Sequence, residues 1–203
     1  KGLVKVKGDN YIYKEKSYDY YNFLTKAKTI KYAIFLILEQ NIYIRKLKVD
    51  LKKINEKEIN KMKELEFGKE KEYLIHYEVN KKEESLYMYA VSGGGRIAGA
   101  ARYFKNLEVI PIQLKVKKTL EKRIKDKNYG CLFFYEGIYY YFEVNNGYMM
   151  KCYMWKNLFD ILEFFQDINK EITLYVQSGL NIKGDNVIFI SFREVCNEKI
   201  LFK

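Results

Sequence analysis

The residues with the clearest capacity for chemistry are Ser92-Gly93-Gly94-Gly95-Arg96, which follow a strand-like run and precede a helical pattern. A glycine-rich turn that opens a helix can present backbone N–H groups to a phosphate or another anion. The motif lacks the Lys-Ser/Thr of a P-loop, and GGGRIAG does not match the dinucleotide pattern GxGxxG. The segment therefore indicates either a weak anion site at Gly93, Gly94, Gly95 and Arg96 or a turn in which glycine permits close packing.

The other reactive residue types give no catalytic or metal-ligand spacing. His76 is the single histidine and lies in a strand-like run, YLIHYEV, without a nucleophile motif beside it, so we expect a structural role. Glu64/Glu66 and Glu83/Glu84 lie in segments of mixed charge typical of a solvated surface. The three cysteines, Cys131, Cys152 and Cys196, have neither disulfide-framework nor zinc spacing. The sequence predicts no catalytic residue, no metal and no cofactor.

The net charge of +11 comes almost entirely from lysine, with only five scattered arginines. Such a charge favours an anionic partner, but nucleic-acid readers rely on bidentate arginine contacts. A solvated basic surface is the simplest interpretation, and an acidic protein or membrane partner is the next. The aromatic residues between Phe133 and Phe142 could stack bases. Their alternation along adjacent strands favours packing of a sheet instead.

The stretch Gly130–Leu180 has the most regular pattern of elements. Three strands are predicted at Cys131–Tyr135, Ile138–Val144 and Tyr148–Trp155, separated by turn residues. Leu158 to Ile168 then has apolar residues at helical spacing, and a further β-rich run ends at Ser178-Gly179. This order predicts one compact α/β unit.

The chain before it begins with a predicted hairpin, Leu3–Val6 with Tyr11–Tyr13. Ser17–Lys28 is expected to be helical or irregular, with Tyr20, Tyr21 and Leu24 on one side. Lys31–Leu38 is continuously apolar, as in a central strand that is buried on both faces. Its core, Tyr32–Leu38, is the longest strongly apolar run and is too short to span a bilayer. The sequence has no signal-peptide pattern. Because it starts at Lys1 rather than Met, we interpret it as a fragment, and a membrane segment could lie beyond its C-terminus.

Ile42–Val49 alternates and predicts a strand with a one-residue bulge near Arg45-Lys46. Asn55–Phe67 is a predicted helix, with Asn55 as its cap and Gly68 as its end. Two strands, Glu72–Val79 and Glu84–Val91, follow.

Helices are predicted within Ser92–Leu107 and within Val116–Lys127. Between them a strand is predicted at Val109–Leu114, and Pro111 indicates that it is an edge strand or that the proline lies at its start. The last strands are expected at Asn186–Phe192 and Lys199–Phe202. Polarity peaks near residues 115–129, which predicts two subdomains, residues 1–115 and 116–203.

The order of elements resembles that of PilM-like and GspL-like proteins. Lys31–Phe67 resembles their strand, turn, strand and helix that ends in Glu-Leu-Glu. Glu72–Leu114 resembles the two strands, helix and strand that follow in those proteins. Gly130–Leu180 resembles the core of their second half. The resemblance implies an α/β protein with mixed sheets and the actin-like ATPase fold of two related subdomains, the first carrying an inserted strand-helix subdomain.

The resemblance also implies a role in type IV pilus assembly or type II secretion, at the cytoplasmic face of the inner membrane. The implied partner is the cytoplasmic tail of an inner-membrane pilus or secretion protein. A motor ATPase as second partner and a homo-oligomer stay open.

The positions that match the nucleotide loops of this family depart from its pattern. The opening LVKVKGDN has Gly8-Asp9 in a different arrangement, and the second phosphate loop reads Tyr135-Glu136-Gly137-Ile138, without the expected Asp and hydroxyl residue. The adenosine-side loop has Gly179 where paired glycines are expected. The resemblance therefore implies a degenerate, reduced scaffold that does not hydrolyse ATP. The alternatives are a nucleotide-binding enzyme that uses Ser92–Arg96 and a basic nucleic-acid-binding module.

Overall fold

The computed structural model describes residues 2–68, 73–166 and 172–191. In chain order the elements are β1 (Gly2–Lys7), β2 (Asn10–Tyr13), β3 (Lys16–Tyr18), α1 (Tyr20–Ala27), β4 (Tyr32–Leu38), β5 (Tyr43–Lys48), α2 (Glu56–Phe67), β6 (Tyr73–Asn80), β7 (Ser85–Ser92), α3 (Gly94–Ala101), β8 (Asn106–Pro111), α4 (Ile112–Leu120), β9 (Tyr129–Tyr135), β10 (Ile138–Asn145), β11 (Tyr148–Trp155), α5 (Leu158–Gln166), β12 (Thr173–Gln177) and β13 (Val187–Ile190).

The first five-stranded sheet has the order β3-β2-β1-β4-β8. Strands β1, β2 and β3 form an antiparallel meander, while β4 and β8 run parallel to β1. Residues Ala33–Leu38 of β4 are all buried, because apolar clusters cover both faces of the sheet. The predicted central strand is therefore confirmed.

The second five-stranded sheet repeats this arrangement, with the order β11-β10-β9-β12-β13. Its first three strands form an antiparallel meander, and β12 and β13 run parallel to β9. The prediction of three strands, a helix and a returning strand in this stretch is confirmed. The two sheets thus have the same topology, and each contains both antiparallel and parallel strand pairs.

A three-stranded antiparallel sheet, β5-β7-β6, is inserted between β4 and β8 together with α2 and α3. The α2 helix begins where Asn55 Oδ1 accepts a hydrogen bond from the Glu58 N–H at 3.1 Å, and it ends at Gly68 with φ of 82°. Both predicted caps are confirmed. The predicted bulge near Arg45-Lys46 is wrong, because β5 pairs with β7 in unbroken register.

The region around Pro111 differs from the sequence-based expectation. The predicted strand Val109–Leu114 is wrong at its second half, because β8 ends at Pro111 and α4 begins at Ile112. Proline lacks an N–H and has φ of −61° here, which suits the residue that precedes a helix. The predicted boundary after residue 115 lies inside this helix, so α4 connects the two five-stranded sheets.

The buried face of α1 also differs from the expectation. Phe23 and Ala27 are buried, whereas Tyr21 is 80% exposed. Phe23 stacks on Tyr11 of β2 with ring centroids 4.5 Å apart. The face of α1 that is buried is therefore the one that packs on the first sheet through Phe23.

One core cluster joins all three sheets and α4; it includes Leu36, Tyr89, Leu120 and Phe142. The predicted packing role of the aromatic run in β9 and β10 is confirmed, because Phe133, Tyr140 and Phe142 are fully buried in this cluster. The predicted strand Lys199–Phe202, residue Cys196 and the end of the helix at Ile168 lie outside the described residues. No helix in the described part of the chain combines the length and apolar character needed to cross a membrane.

Candidate functional site

The candidate site is the edge of the first sheet where β1 and β4 end. Parallel strands bring the residues that follow them to the same edge, which is where ligands bind in open α/β sheets. Gly8-Asp9 follows β1, and Glu39-Gln40 follows β4. The Ser92 hydroxyl is hydrogen-bonded to the Gln40 side chain, and the Arg96 guanidinium forms an ion pair with Asp9. The structure therefore brings the glycine loop to the same edge as Gly8-Asp9.

The glycine loop has the context that an anion site requires. Gly93 is left-handed with φ of 90°, and α3 begins at Gly94 without a side-chain cap. However, Arg96 is already paired with Asp9. The cavity between the loop and the sheet measures about 110 Å³, well below the roughly 300–1,000 Å³ of typical small-molecule pockets. The loop does not enclose a nucleotide-sized space.

Glu136-Gly137 forms the turn between β9 and β10, and both residues have positive φ, 50° and 85°. This turn lies against β1. Lys5 Nζ is 2.5 Å from Glu136 Oε1, and Lys7 Nζ is 3.3 Å from the Glu136 carbonyl oxygen. Lys7 Nζ is also 3.0 Å from Glu39 Oε1. These contacts, which we call the lysine–glutamate bridge (Lys5, Lys7, Glu39 and Glu136), join the two five-stranded sheets.

The lysine–glutamate bridge is partly shielded from solvent. Burial would lower the pKa of Lys5, but the hydrogen bond and charge of Glu136, together with Tyr135, outweigh burial and raise the pKa of Lys5. The ammonium is therefore stabilised in its charged form by the carboxylate of the other sheet. Beside it, the Glu39 N–H donates a hydrogen bond to the Tyr140 hydroxyl at 3.1 Å, which adds a second contact between the sheets.

Gly179 lies just beyond β12, with φ of 97°. Because β12 is parallel to β9, Gly179 and Glu136 lie at the same edge of the second sheet. The Phe134 N–H donates to Gln177 Oε1 at 2.7 Å and ties the two strand ends together. Gly179 makes a turn that favours glycine, as the sequence indicated from Ser178-Gly179.

The remaining reactive side chains are in settings unsuited to catalysis. His76 is half-buried in β6, where burial and then the Lys118 charge lower its pKa. Neither Cys131 nor Cys152 forms a disulfide bond, and burial raises the pKa of Cys152 to about 12, so its thiolate is disfavoured. Over the described ranges, no three His, Cys, Asp or Glu side chains come together as a metal site would require.

Sequence reasoning singled out Glu136, Gly137 and the glycine loop as candidates, but it missed Lys5 and Lys7, which contact Glu136. Lys5 and Lys7 alternate along β1 and so point to one face, and Glu39 directly follows a buried strand. These are local signals for an edge cluster. The pairing of Lys5 with Glu136 crosses 131 residues of sequence and is visible only in the folded chain.

The fold defines the class of this protein: two five-stranded sheets of the same topology form the actin-like ATPase fold. Two solved structures resemble it along most of its length. One is a Bacteroides thetaiotaomicron protein with an actin-like ATPase fold and unknown function, with a TM-score of 0.52 at 8% identity, covering 93% of this chain and 90% of that chain.

The other is a PilM-PilN type IV pilus biogenesis complex, with a TM-score of 0.54 at 10% identity, covering 95% of this chain and 88% of that chain. No protein-family model matches the sequence, and no curated protein matches it. At these identities the likeness establishes the fold, and function has to be argued from the site.

Proposed function

We propose that this protein is a non-catalytic scaffold of a type IV pilus assembly machine that binds the cytoplasmic segment of an inner-membrane protein. The proposal combines the likeness of fold to a PilM-PilN complex with one observation, the lysine–glutamate bridge. The bridge lies at the ends of β1 and β4, where the resemblance places the phosphate loops. We further propose that residues 1–115 and 116–203 form its two halves, and that it acts at the inner face of the cell membrane.

The bridge argues against ATP hydrolysis because it neutralises the groups that a phosphate would need. Catalysis of phosphoryl transfer depends on free cations and Mg²⁺ that stabilise the transferred group. Lys5 and Lys7 are paired with Glu136 and Glu39, and Arg96 is paired with Asp9. A phosphate would have to displace these carboxylates and would be repelled by them.

The alternative of a nucleotide-binding enzyme is favoured by the left-handed Gly93 before α3. The cavity of about 110 Å³ at this loop counts against it. Isothermal calorimetry with ATP and Mg²⁺ decides between the two functions. We expect no heat of binding and no change in melting temperature; micromolar binding would overturn the non-catalytic proposal.

The binding function is tested with synthetic peptides that match the cytoplasmic segments of inner-membrane proteins encoded beside the gene. We expect saturable binding of one such peptide, measured by fluorescence anisotropy, and loss of binding when its sequence is scrambled. Absence of binding to every segment, together with no specific inner-membrane protein recovered in a pull-down, would refute the scaffold role.

A further inference from the structure

The edge of the first sheet opposite the candidate site contains the starts of β4 and β8 and the segments that lead into them. The segment before β4 reads Lys28-Thr29-Ile30-Lys31, and the segment before β8 reads Arg102-Tyr103-Phe104-Lys105. Because β4 and β8 are parallel and Tyr32 pairs with Asn106, the two segments lie side by side. Both have the same pattern: a basic residue, an exposed residue, a buried apolar residue and a second basic residue.

The buried third residue of each segment determines which way its neighbours face. Ile30 and Phe104 belong to one apolar cluster beneath this edge, and Phe104 stacks on Phe23 of α1 with ring centroids 6.2 Å apart. Burial of that residue leaves the two basic residues of each segment exposed. Packing of the core therefore holds four cations on one surface.

The turn between β2 and β3 adds charge to the same edge. It reads Lys14-Glu15-Lys16, is fully exposed, and lies where β1 begins because β2 is antiparallel to β1. A Cβ added at Gly2 would lie 3.0 Å from the Tyr13 ring and 3.1 Å from Ile30, so the turn is close to the segment before β4. We call the cations of this surface the basic edge: Lys14, Lys16, Lys28, Lys31, Arg102 and Lys105.

The positive charge of the basic edge is not neutralised by the protein. Its three segments contain six cations and a single carboxylate, that of Glu15. Within the described part of the chain none of the six cations forms an ion pair, whereas Lys5 and Lys7 at the opposite edge are paired with Glu136 and Glu39. The next acidic residues along the chain are Asp19, which caps the start of α1, and Glu108, which lies inside β8. The surface therefore fits an anionic partner.

The residue types of the basic edge distinguish between anionic partners. Five of its six cations are lysines, which are compact charges on flexible stems and lack the rigid fork that grips one phosphate or one base. Tyr32 and Tyr103 lie among them and are 42% and 43% exposed. Tyrosine is enriched at membrane–water interfaces, because its ring is apolar and its hydroxyl is polar. Lysines with exposed tyrosines thus favour a lipid surface over a nucleic acid or an acidic protein.

We propose that the basic edge binds directly to the surface of an anionic lipid bilayer. The lysines lie against the lipid phosphates, and the rings of Tyr32 and Tyr103 enter the headgroup layer. The opposite edge, which carries the lysine–glutamate bridge, then faces away from the bilayer. This inference goes beyond the proposed function, because it concerns contact with lipid and needs no protein partner.

The test is flotation of the full chain with phosphatidylcholine vesicles that contain or lack phosphatidylglycerol. We expect binding only to the anionic vesicles, and weaker binding when NaCl is raised from about 0.1 M to about 0.5 M. Lys31→Gln combined with Lys105→Gln should lower the partition coefficient by about 25-fold, or about fivefold for each lysine. The matched control is Lys57→Gln combined with Lys61→Gln, an equal change of charge at exposed positions of α2, which should change it by less than about twofold.

Equal binding to neutral and anionic vesicles, or equal effects of the two double variants, would overturn the proposal. Tyr103→Ser should also weaken binding to anionic vesicles, and an unchanged partition coefficient would contradict the role of the ring. A DNA duplex or a glutamate-rich peptide that binds more tightly than the vesicles, and that depends equally on Lys31 and Lys105, would replace lipid as the partner. The two proposals fail separately: vesicles that do not bind remove only this inference, and membrane-protein peptides that do not bind remove only the scaffold role.

Discussion

The Lys5 ammonium lies 2.5 Å from a carboxylate oxygen of Glu136, and this contact joins the first strand of one five-stranded sheet to the first turn of the other. The side chains are 21% and 35% exposed, so water weakens the attraction. The pair nevertheless links β1 to the turn between β9 and β10, so it can stabilise the contact between the two sheets.

We expect the coupling energy of this pair, from Lys5→Met, Glu136→Gln and the double variant, to be about 0.5–1 kcal/mol. Urea unfolding measures it, and 1 M NaCl should reduce it by screening. The matched control is Arg45 with Glu66, a longer pair at 3.5 Å, for which a smaller coupling is expected. A coupling of zero at low salt would show that the bridge does not hold the sheets together.

Gly137 should not tolerate a side chain, because its φ is 85°. We expect Gly137→Ala to reduce the free energy of unfolding by about 1–2 kcal/mol, the cost of a left-handed residue with a Cβ. Gly95→Ala is the control of opposite sign: Gly95 is exposed within α3, where alanine favours the helix by up to about 1 kcal/mol. Equal effects of the two substitutions in thermal unfolding would contradict this account of the turn.

His76 should titrate below the ordinary histidine pKa of 6.5, because burial and then Lys118 disfavour its charged form. The folded state then binds fewer protons than the unfolded state below pH 6.5. Stability should therefore fall as pH decreases from 6.5 towards the lowered pKa and should be fully present above 6.5.

As the single histidine, His76 gives one imidazole signal that can be followed by NMR as pH changes. A measured midpoint at or above 6.5 would contradict the prediction. His76→Gln should remove the histidine contribution to the pH dependence of urea unfolding over this range.

Two buried tyrosines should respond differently to loss of their hydroxyl groups. The Tyr89 hydroxyl donates to Glu78 and accepts from the Met149 N–H at 3.2 Å, so Tyr89→Phe leaves a buried N–H unsatisfied. We expect a loss of about 1–3 kcal/mol. Tyr129→Phe removes a hydroxyl that has no hydrogen-bond partner within the described part of the chain, and it should be neutral or stabilising. Differential scanning calorimetry of both variants checks the order; a larger loss for Tyr129→Phe would refute it.

Patterns of apolar residues sufficed to predict most elements of the fold. The strand β4 and the meander β9–β11 have strong periodicities, and α2 has caps at Asn55 and Gly68 that act within a few residues. The errors arose where the local pattern allows two structures and contacts elsewhere in the fold select one of them. The apolar face of α1 depends on Tyr11, and the end of β8 depends on whether Pro111 continues a strand or precedes a helix.

The candidate site was less predictable than the fold, because its chemistry depends on pairs distant in sequence. Glu136 and the glycine loop could be found from local context, but their neutralisation by Lys5 and Asp9 could not. Lys117 is the clearest case. It lies in a charged segment typical of a solvated helix, yet it is buried between two carboxylates, Glu78 of β6 and Glu121, which directly follows α4.

The insertion of the three-stranded sheet between β4 and β8 has a consequence for the order of folding. Strands β6 and β7 form a hairpin of neighbouring residues, so they can pair early. The parallel pairing of Tyr32 with Asn106 must enclose the whole insertion and bears the larger entropy of loop closure. The first sheet should therefore be completed late, after the inserted sheet has formed and shortened the effective loop.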